Sequence, residues 1–514
     1  MVAHYCKSKR KLNGRGSMKT IFKDVLVIGG GPSGSTVGAL LSKNGINTLI
    51  VEKEKFPRFK VGESLLPSAL KIFDFLGVRE KIEKHGFVKK RGAYLRWGTD
   101  PEPWAITFGE LIGDDGYSYH VIRSEFDELL LNNAREKGTE VWESTRFISI
   151  DLKPEKGRRK SAIVEREDGE RIIVEFDQIV DCSGQSGVLG NRHLKLRRYH
   201  RAFKNVALWS YWKGAGRLPA PYEGSVLTSA IDNGWIWGIP LHDGSQSVGV
   251  VMHQEEFKEL SSRMTPDEIY EKSLAKCPIT KDLISPSRER SKLLVVKDYS
   301  YTSESLAGNG YFLCGDAACF LDPVLSSGVH LAMYSGMMAA ASISAIYRNQ
   351  VSEDQAITFY ESVYRRAFTR FAQFLSAFYN QNHSTDNYFW EAQRITSQDV
   401  DSENMKRAFL GLVSGTTDLD EIDNAQLVET TLLEKVRENL DLRRKGVNIG
   451  NTSGVKRTEI EKNNHLFSLI EGITGLDENG QSEGLYATIF PTLGLRRAQC
   501  AAFKSSTKKG VVHA

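Results

Sequence analysis

Gly29-Gly-Gly31-Pro-Ser33-Gly34 joins a short apolar run, Asp24-Val-Leu-Val-Ile-Gly29, to a helical stretch from Ser35 to Ser42. Glycines at this spacing can cradle a pyrophosphate. Gly29 permits a tight turn, Gly31 lets the backbone approach the phosphates, and Gly34 lets helix and strand pack closely. The N-terminus of the following helix then faces the negative charge. A second apolar run, Asn47-Thr-Leu-Ile-Val51, ends on Glu52, 23 residues after Gly29. An acid there accepts hydrogen bonds from a ribose and repels the 2′-phosphate of NADP. A purely structural glycine turn would need none of this context. The strand, helix, second strand and acid together point to a dinucleotide cofactor.

Three further groupings could do chemistry. Lys89 and Lys90 lie in Gly86-Phe-Val-Lys-Lys90-Arg-Gly-Ala-Tyr-Leu-Arg-Trp97, where the alternation beyond Gly92 suggests strands. Neighbouring strand residues point to opposite faces, so the two amines serve different surroundings. A strand lysine is ordinarily solvated. Trp235 and Trp237, in Gly-Trp235-Ile-Trp237-Gly-Ile239-Pro240, share one strand face, and Pro240 ends or bends the strand. Such a wall is bulky, rigid and dry, although an ordinary apolar strand face has the same pattern. Ser326-Ser327-Gly328 precedes a helical run, and turn amides at a helix start form an anion nest. A plain helix N-cap at Ser326 or Ser327 is the structural alternative, and both readings can hold together. Arg123 opens an amphipathic helix that runs to Ala134, where a surface charge is common. His330 reads as a packing or cofactor-adjacent residue, and the aromatic helix with Phe368, Phe371, Phe374, Phe378 and Tyr379 reads first as core.

These residues need a large scaffold, and 514 residues with 40% hydrophobic content supply one. Lys+Arg 68 against Asp+Glu 64 leaves a net charge of +4, too balanced for a dedicated nucleic-acid binder. The six cysteines, Cys6, Cys182, Cys277, Cys314, Cys319 and Cys500, form no CxxC pair and no metal-ligand spacing, so no metal is expected and a reducing, cytoplasmic setting is. Leu331 to Tyr347 is the most apolar run, but its serines and glycine mark a buried helix, not a membrane span. Residues 1–20 read as a disordered basic extension. A cofactor module is expected over 21–350, built from about 21–92, 120–190 and 295–350. β-rich substrate segments, about 92–120 and 195–295, are interleaved with it. Residues 70–85 read as helix, and 145–181 as a strand meander with a hairpin turn at Asp168-Gly169. Residues 351–514 read as a helical C-terminal region, partly lid or disordered.

Tyr311-Phe-Leu-Cys-Gly315-Asp316 resembles the second flavin fingerprint of the glutathione-reductase-type FAD fold. That fold is α/β and three-layered, with a mainly parallel sheet. Asp181-Cys-Ser-Gly184 resembles the turn closing its second cofactor-facing strand. The Trp235-Ile-Trp237-Gly-Ile239-Pro240 run, the Lys90-x-Gly-Ala…Trp97-Gly segment and the Ser327–Gly328 turn resemble signatures of FADH2-dependent halogenases. The likeness covers about residues 22–420 and favours the phenol-acting branch, with its chondrochloren- and cyanobacterial peptide-pathway members. The segment from Phe374 to Gln393 also looks like that branch.

The resemblance implies a set of roles. FAD would be held by Gly29, Gly31, Ser33, Gly34, Glu52, Lys53, Arg58, Arg123 and Asp316. Chloride or bromide would be held at Ser327 and Gly328, with Trp235, Trp237 and Pro240 walling the substrate side. A separate flavin reductase would supply FADH2, because one β-α-β unit is present and no second one for a nicotinamide is evident. Reaction with O2 and halide would yield hypohalous acid, which Lys90 would carry or orient toward an electron-rich phenol, free or tethered to a carrier protein. An FAD-dependent hydroxylase or a geranylgeranyl-reductase-like enzyme on the same fold is the alternative, and would need neither Lys90 nor the tryptophan pair.

Overall fold

The computed structural model describes residues 18–97, 102–109, 116–232, 234–379, 414–415, 418, 485–488 and 492–497. The chain opens with β1 (Lys19–Ile28), α1 (Pro32–Lys43) and β2 (Thr48–Val51). It continues with α2 (Ser68–Leu76), α3 (Arg79–His85), β3 (Val88–Lys90), β4 (Gly92–Arg96), β5 (Trp104–Thr107) and β6 (Ser118–His120). Then come α4 (Arg123–Glu136), β7 (Glu140–Trp142), β8 (Arg146–Asp151), β9 (Lys160–Glu165) and β10 (Arg171–Asp181). The next block holds β11 (Arg197–Lys213), β12 (Val226–Ile231), β13 (Gly234–Pro240), β14 (Ser245–His253), α5 (Gln254–Ser261), α6 (Pro266–Leu274) and α7 (Pro278–Ile284). β15 (Glu289–Arg290), β16 (Leu294–Ser303), β17 (Ala307–Gly308) and β18 (Tyr311–Leu313) lead to α8 (Ser327–Tyr347) and α9 (Glu353–Phe378). A hairpin, β19 (Leu485–Thr488) with β20 (Gly494–Arg497), completes the described elements.

Two large sheets divide the work. In the first, β18, β10, β1, β2 and β7 run parallel in that order. β9 joins β10 antiparallel and β8 joins β9. The Asp168-Gly169 turn closes the β9–β10 hairpin, with Gly169 at φ +85°. The parallel strands are buried on both faces, with Val25, Leu26, Val27, Leu49 and Ile50 all inaccessible. That burial explains their unbroken apolar sequence. α1 and α8 cover one side, crossing where Gly336 comes so close that a Cβ would lie 2.8 Å from the Ser33 carbonyl. This parallel sheet with helical layers is the expected α/β fold.

The second sheet has the order β15-β11-β14-β13-β12-β4-β5, with β16 also paired to β11. It is antiparallel apart from β12 with β4. β13 shows why the alternation in its sequence matters. Trp235, Trp237 and Ile239 pack into the main core. Ile236 faces the other way, into a smaller core with Leu208, Val248, Val250 and Tyr270.

Some boundaries differ from the sequence expectation. β1 starts at Lys19, inside the stretch read as a disordered extension, because its first half pairs with β10 on the sheet rim. Residues 70–85 form two helices, broken where Gly77 takes φ +68°. The C-terminal region is not wholly helical. β19 and β20 pair, and Leu493 in their turn accepts hydrogen bonds from Asn44 and Arg348. Cys6, Cys500 and most of the segment from Phe374 to Gln393 lie outside the described residues. α8 is the one described helix long and apolar enough to cross a membrane, and it is mostly buried within the protein.

Candidate active site

The glycine turn is shaped by close backbone approach. Gly29 takes φ +100°, and a Cβ there would lie 2.5 Å from the Cys182 carbonyl oxygen. A Cβ on Gly34 would lie 1.9 Å from the carbonyl oxygen of Gly29. Neither position tolerates a side chain. Gly31 N-caps α1, and a Cβ there would meet only the Arg58 guanidinium, at 3.2 Å. Pro32 follows at the first helical position, and no acid stands in the first turn. Ser33, on that turn, is buried, its hydroxyl 3.4 Å from the Cys182 sulfur. Glu52 is buried at the end of β2 and accepts hydrogen bonds from the Gly30 and Glu54 amides at 2.8 and 2.9 Å. Lys53 is exposed next to Glu52 and pairs with Glu54 at 3.2 Å.

Beside the turn lies a compact ion-pair network. Arg58 Nη1 donates to Asp127 Oδ2 at 2.9 Å. Arg123 grips the same carboxylate with Nε and Nη2, at 2.9 and 3.0 Å. Its third nitrogen, Nη1, donates to the Val61 carbonyl at 2.8 Å, fixing the loop after Arg58. The side chains of Arg58 and Arg123 are 8% and 10% exposed, and Asp127 is fully buried. Bidentate pairing holds the Arg123 guanidinium rigid, while Arg58 is held by its single bond to the same carboxylate and by the Phe56 ring, 4.4 Å away. Asp316 is half-buried and records no carboxylate hydrogen bond among the described residues. Burial pushes its pKa up to about 6, against the pull of Arg123, Lys60 and Arg197. Glu63, buried in the same loop, accepts from Tyr211 Oη at 2.7 Å, and desolvation raises its pKa too. The chain thus offers a glycine cradle, a buried acid at the end of β2, two fixed guanidiniums and a carboxylate with no hydrogen-bond donor among the described residues. These fit FAD.

The Ser327–Gly328 turn is held from below. Asp322 accepts from the Val324 amide at 3.0 Å and from Asn205 Nδ2, on β11, at 2.7 Å. Ser326 takes φ +55°, which turns the chain into α8. Ser327 is buried and Gly328 exposed, with open space where its Cβ would be. His330, one turn on, is fully engaged in packing. It bonds Ser68 Oγ at 2.8 Å and Asp418 at 3.0 Å, and Asp418 also pairs with Arg370.

Trp235 and Trp237 lie in an aromatic cluster. Their ring centroids are 5.9 Å apart, with Trp97 6.5 Å from Trp235 and Trp209 6.4 Å from Trp237. Trp235 Nε1 donates to Tyr379 Oη at 2.9 Å, and Trp237 Nε1 to Ser247 Oγ at 3.2 Å. The Trp237 ring lies over Gly249, whose Cβ would fall 2.1 Å from it. Pro240 ends β13 opposite Gln246.

Lys90 and Lys89 are separated by the pleat. Lys89 is exposed, its ammonium over the Tyr117 ring. Lys90 is 2% exposed; its Nζ donates to the Leu65 carbonyl at 3.1 Å and sits 5.4 Å from the Phe108 ring centre. It forms no salt bridge among the described residues, and burial alone brings its pKa down to about 7. On β6, Ser118 pairs with Lys90, while His120 pairs with Val88 and bridges to Ser64. Register partners share a face, so Ser64, Ser118 and His120 stand on the Lys90 side. Ser64 Oγ, Ser118 Oγ and His120 Nδ1 are buried without a hydrogen-bond partner. Burial, then the Lys90 charge, keeps His120 neutral. Sequence reasoning missed Ser118, His120 and Asp127, and it took Glu63 and Ser64 only as part of a loop, Phe59 to Pro67, that resembles the flavin-contacting loop of halogenases. The i,i+4 spacing of Arg123 and Asp127 on a helix, and the alternation of Ser118 and His120, were the available signals.

Comparisons with known proteins give the family. The tryptophan halogenase family model matches residues 24–116 and 113–415. A tryptophan 2-halogenase from Chondromyces crocatus is 38% identical over 500 residues, 92% of this chain and 94% of that protein. The sulochrin halogenase of Aspergillus terreus is 36% identical over 372 residues, 68% of this chain and 67% of that protein. Among solved structures, the myxobacterial chondrochloren halogenase, an FAD-dependent halogenase, superimposes with a TM-score of 0.66 at 38% identity. The match covers 78% of this chain and 91% of that one. An FAD cradle on this fold, matched by the family model over most of the chain, has one reading: this chain belongs to the tryptophan halogenase family and is a flavin-dependent halogenase that works with FAD and a halide.

Proposed function

We propose that the chain halogenates an electron-rich phenol through hypohalous acid delivered by Lys90. The observation that carries this reading is a buried lysine amine with no counter-charge among the described residues, its pKa near 7, beside Ser64 Oγ, Ser118 Oγ and His120 Nδ1, three buried atoms without a hydrogen-bond partner there. Bound reduced FAD, with O2 and halide, supplies hypohalous acid. Residues of this chain do the rest. Gly29, Gly31, Ser33 and Gly34 seat the pyrophosphate at the start of α1, and Glu52 takes the ribose. Arg58, Arg123 and Asp316 fix the cofactor's polar edge, and Lys53, exposed beside Glu52, adds positive charge near it. Ser327 and Gly328 offer backbone amides to chloride or bromide.

A neutral Lys90 amine can hydrogen-bond hypohalous acid. It can also exchange a proton for the halogen, releasing water and forming an N–X bond. The halogen then passes to the ring carbon beside the phenol hydroxyl, and the displaced ring proton returns to the amine nitrogen. Trp235, Trp237 and Pro240 separate the ring from the cofactor, so halogenation is favoured over direct hydroxylation. Phenol oxygen is the activating group in this scheme, and the unpartnered Ser118 Oγ and His120 Nδ1 on the Lys90 side support a role in holding its O–H. The reductase that feeds the enzyme need only release reduced flavin. The four described cysteines are buried free thiols, which supports a reducing, cytoplasmic setting.

The test is halogenation by the full chain with an added flavin reductase, FAD and chloride, read by mass spectrometry. The substrates are a phenol, a phenol thioesterified to a carrier protein, and tryptophan. Chlorine isotope pairs on either phenol, and a loss of roughly a hundredfold or more in Lys90→Ala with Lys89→Ala active, are expected. Preference for tryptophan would overturn the phenol reading, and an active Lys90→Ala would overturn the lysine route.

A further inference from the structure

His85 is the last residue of α3, Glu125 lies in the first turn of α4, and His242 follows the end of β13. Nothing in their sequence spacing links them. The fold brings His85 Nε2 to 2.5 Å and His242 Nε2 to 3.2 Å from one and the same oxygen, Glu125 Oε2. Among the described residues this is the one grouping of three or more His, Cys, Asp or Glu with ligand atoms close enough to share an ion. All three side chains are part-exposed, at 29%, 36% and 21%, so an ion can enter from solvent. Phe87 backs both imidazoles, its ring 4.3 Å from His85 and 5.2 Å from His242. That contact limits ring rotation and keeps the Nε2 atoms converging.

We propose that His85, Glu125 and His242 form a divalent transition-metal site of the zinc class, with water completing the coordination. The donor set decides the metal. Two imidazole nitrogens and one carboxylate suit Zn2+, Ni2+ or Cu2+, whereas Ca2+ and Mg2+ prefer all-oxygen shells. The spacing is suitable as well. Ligands about 2.0–2.1 Å from a tetrahedral ion stand about 3.3 Å apart, close to the 3.2 Å between His242 and Glu125. The His85–Glu125 pair need open by less than an ångström. A bare His–Glu–His cluster, in which Glu125 Oε2 accepts from both imidazoles, is the competing account, and metal titration separates the two.

The site would staple two parts of the molecule. Glu125 is two residues from Arg123, whose guanidinium grips Asp127 and the loop at Val61. His242 is two residues beyond Pro240, at the end of the strand that carries Trp235 and Trp237. A bound ion therefore ties the helix holding the cofactor-side arginine to the tryptophan strand. It has no part in the lysine chemistry.

The experiment uses the tag-free full chain, stripped with EDTA and dialysed, titrated with Zn2+ by calorimetry and followed by thermal unfolding. Binding of about one equivalent, with a rise in melting temperature, is expected. His85→Ala and His242→Ala should each weaken Zn2+ binding by roughly tenfold or more, while melting like the stripped wild type. Cobalt(II) should show the visible absorption of a low-symmetry nitrogen–oxygen site in the wild type and lose it in both variants. Absence of stoichiometric binding by the wild type overturns the proposal. So does binding unchanged in His242→Ala, or a cobalt spectrum with thiolate charge-transfer bands.

Discussion

Two of the sites where the described residues bury positive charge treat it in opposite ways. Arg58 and Arg123 share the buried carboxylate of Asp127 through three hydrogen bonds of 2.9 to 3.0 Å. Lys90, more deeply buried, has a backbone carbonyl and an aromatic face. The first arrangement keeps its charge fixed. Guanidinium does not release a proton near neutrality, and the pairing offsets its desolvation. The second gives its charge up, since nothing opposes desolvation and the pKa falls to about 7. Fixed charge suits the binding of an anionic cofactor. A labile proton suits a group that must present a lone pair at working pH. One chain thus tunes two kinds of cation by the presence or absence of a single carboxylate.

Stability measurements can break that contrast most directly. Asp127→Asn leaves two guanidiniums without a counter-charge, and should cost about 3–5 kcal/mol in urea unfolding, with loss of bound FAD. Lys90→Met should act the other way. Folding lowers the Lys90 pKa from 10.5 to about 7. The unfolded chain therefore binds the extra proton between those values, and the group destabilises the fold increasingly as pH falls through that window. Below about 7 the penalty is complete. At pH 7 Lys90→Met should gain on the order of 1 kcal/mol or more, with a smaller gain at pH 10. A destabilised Lys90→Met would show that the amine is held by bonds stronger than the one to Leu65.

The pH dependence of halogenation sharpens the same contrast. If the free amine is the working form, the rate under saturating reduced FAD should rise about tenfold per pH unit below 7 and level off above it. Oxidation of the reduced cofactor by O2, measured without substrate, should not share that step. A halogenation rate flat from pH 5.5 to about 8 would remove proton loss at Lys90 from the scheme.

What could be read from sequence follows the same division between local and distant. The glycine turn and Glu52 are legible because one β-α-β unit contains all their partners within 24 residues, from Gly29 to Glu52. Strand alternation, a local rule, sets Lys89 and Lys90 on opposite faces, and the resemblance of the Lys90-x-Gly-Ala segment to halogenases chose between them. The Trp235/Trp237 face was legible by the same alternation. The counter-charges were not. Arg58 meets Asp127 across 69 residues, and Tyr211 meets Glu63 across 148. The polar neighbours of Lys90 come from Ser64, Ser118 and His120, which only strand pairing brings together. His85, Glu125 and His242 converge from three elements with no spacing a motif could encode. The C-terminal hairpin was missed because it is stabilised by docking on α1 and α8, through Asn44 and Arg348, and not by a turn signature of its own.

Gly31→Ala tests the paired-charge region with the smallest change. At Gly29 or Gly34 a methyl group would run into backbone at 2.5 or 1.9 Å and disrupt the turn itself. At Gly31 it meets one group, Arg58 Nη2 at 3.2 Å, and Gly31 is not at positive φ. The guanidinium must give by a few tenths of an ångström, but its other nitrogen is tied to Asp127 and its side chain is almost fully buried. The methyl also stands where the backbone must approach the pyrophosphate. FAD affinity should fall by roughly tenfold, a cost of about 1.4 kcal/mol, while unfolding of the FAD-free chain stays within about 1 kcal/mol of wild type. Halogenation with saturating FAD should keep its pH profile, since Lys90 is untouched. A shift of that profile in Gly31→Ala would mean that the two cation sites are coupled, and that the contrast between them is not a local matter of one carboxylate.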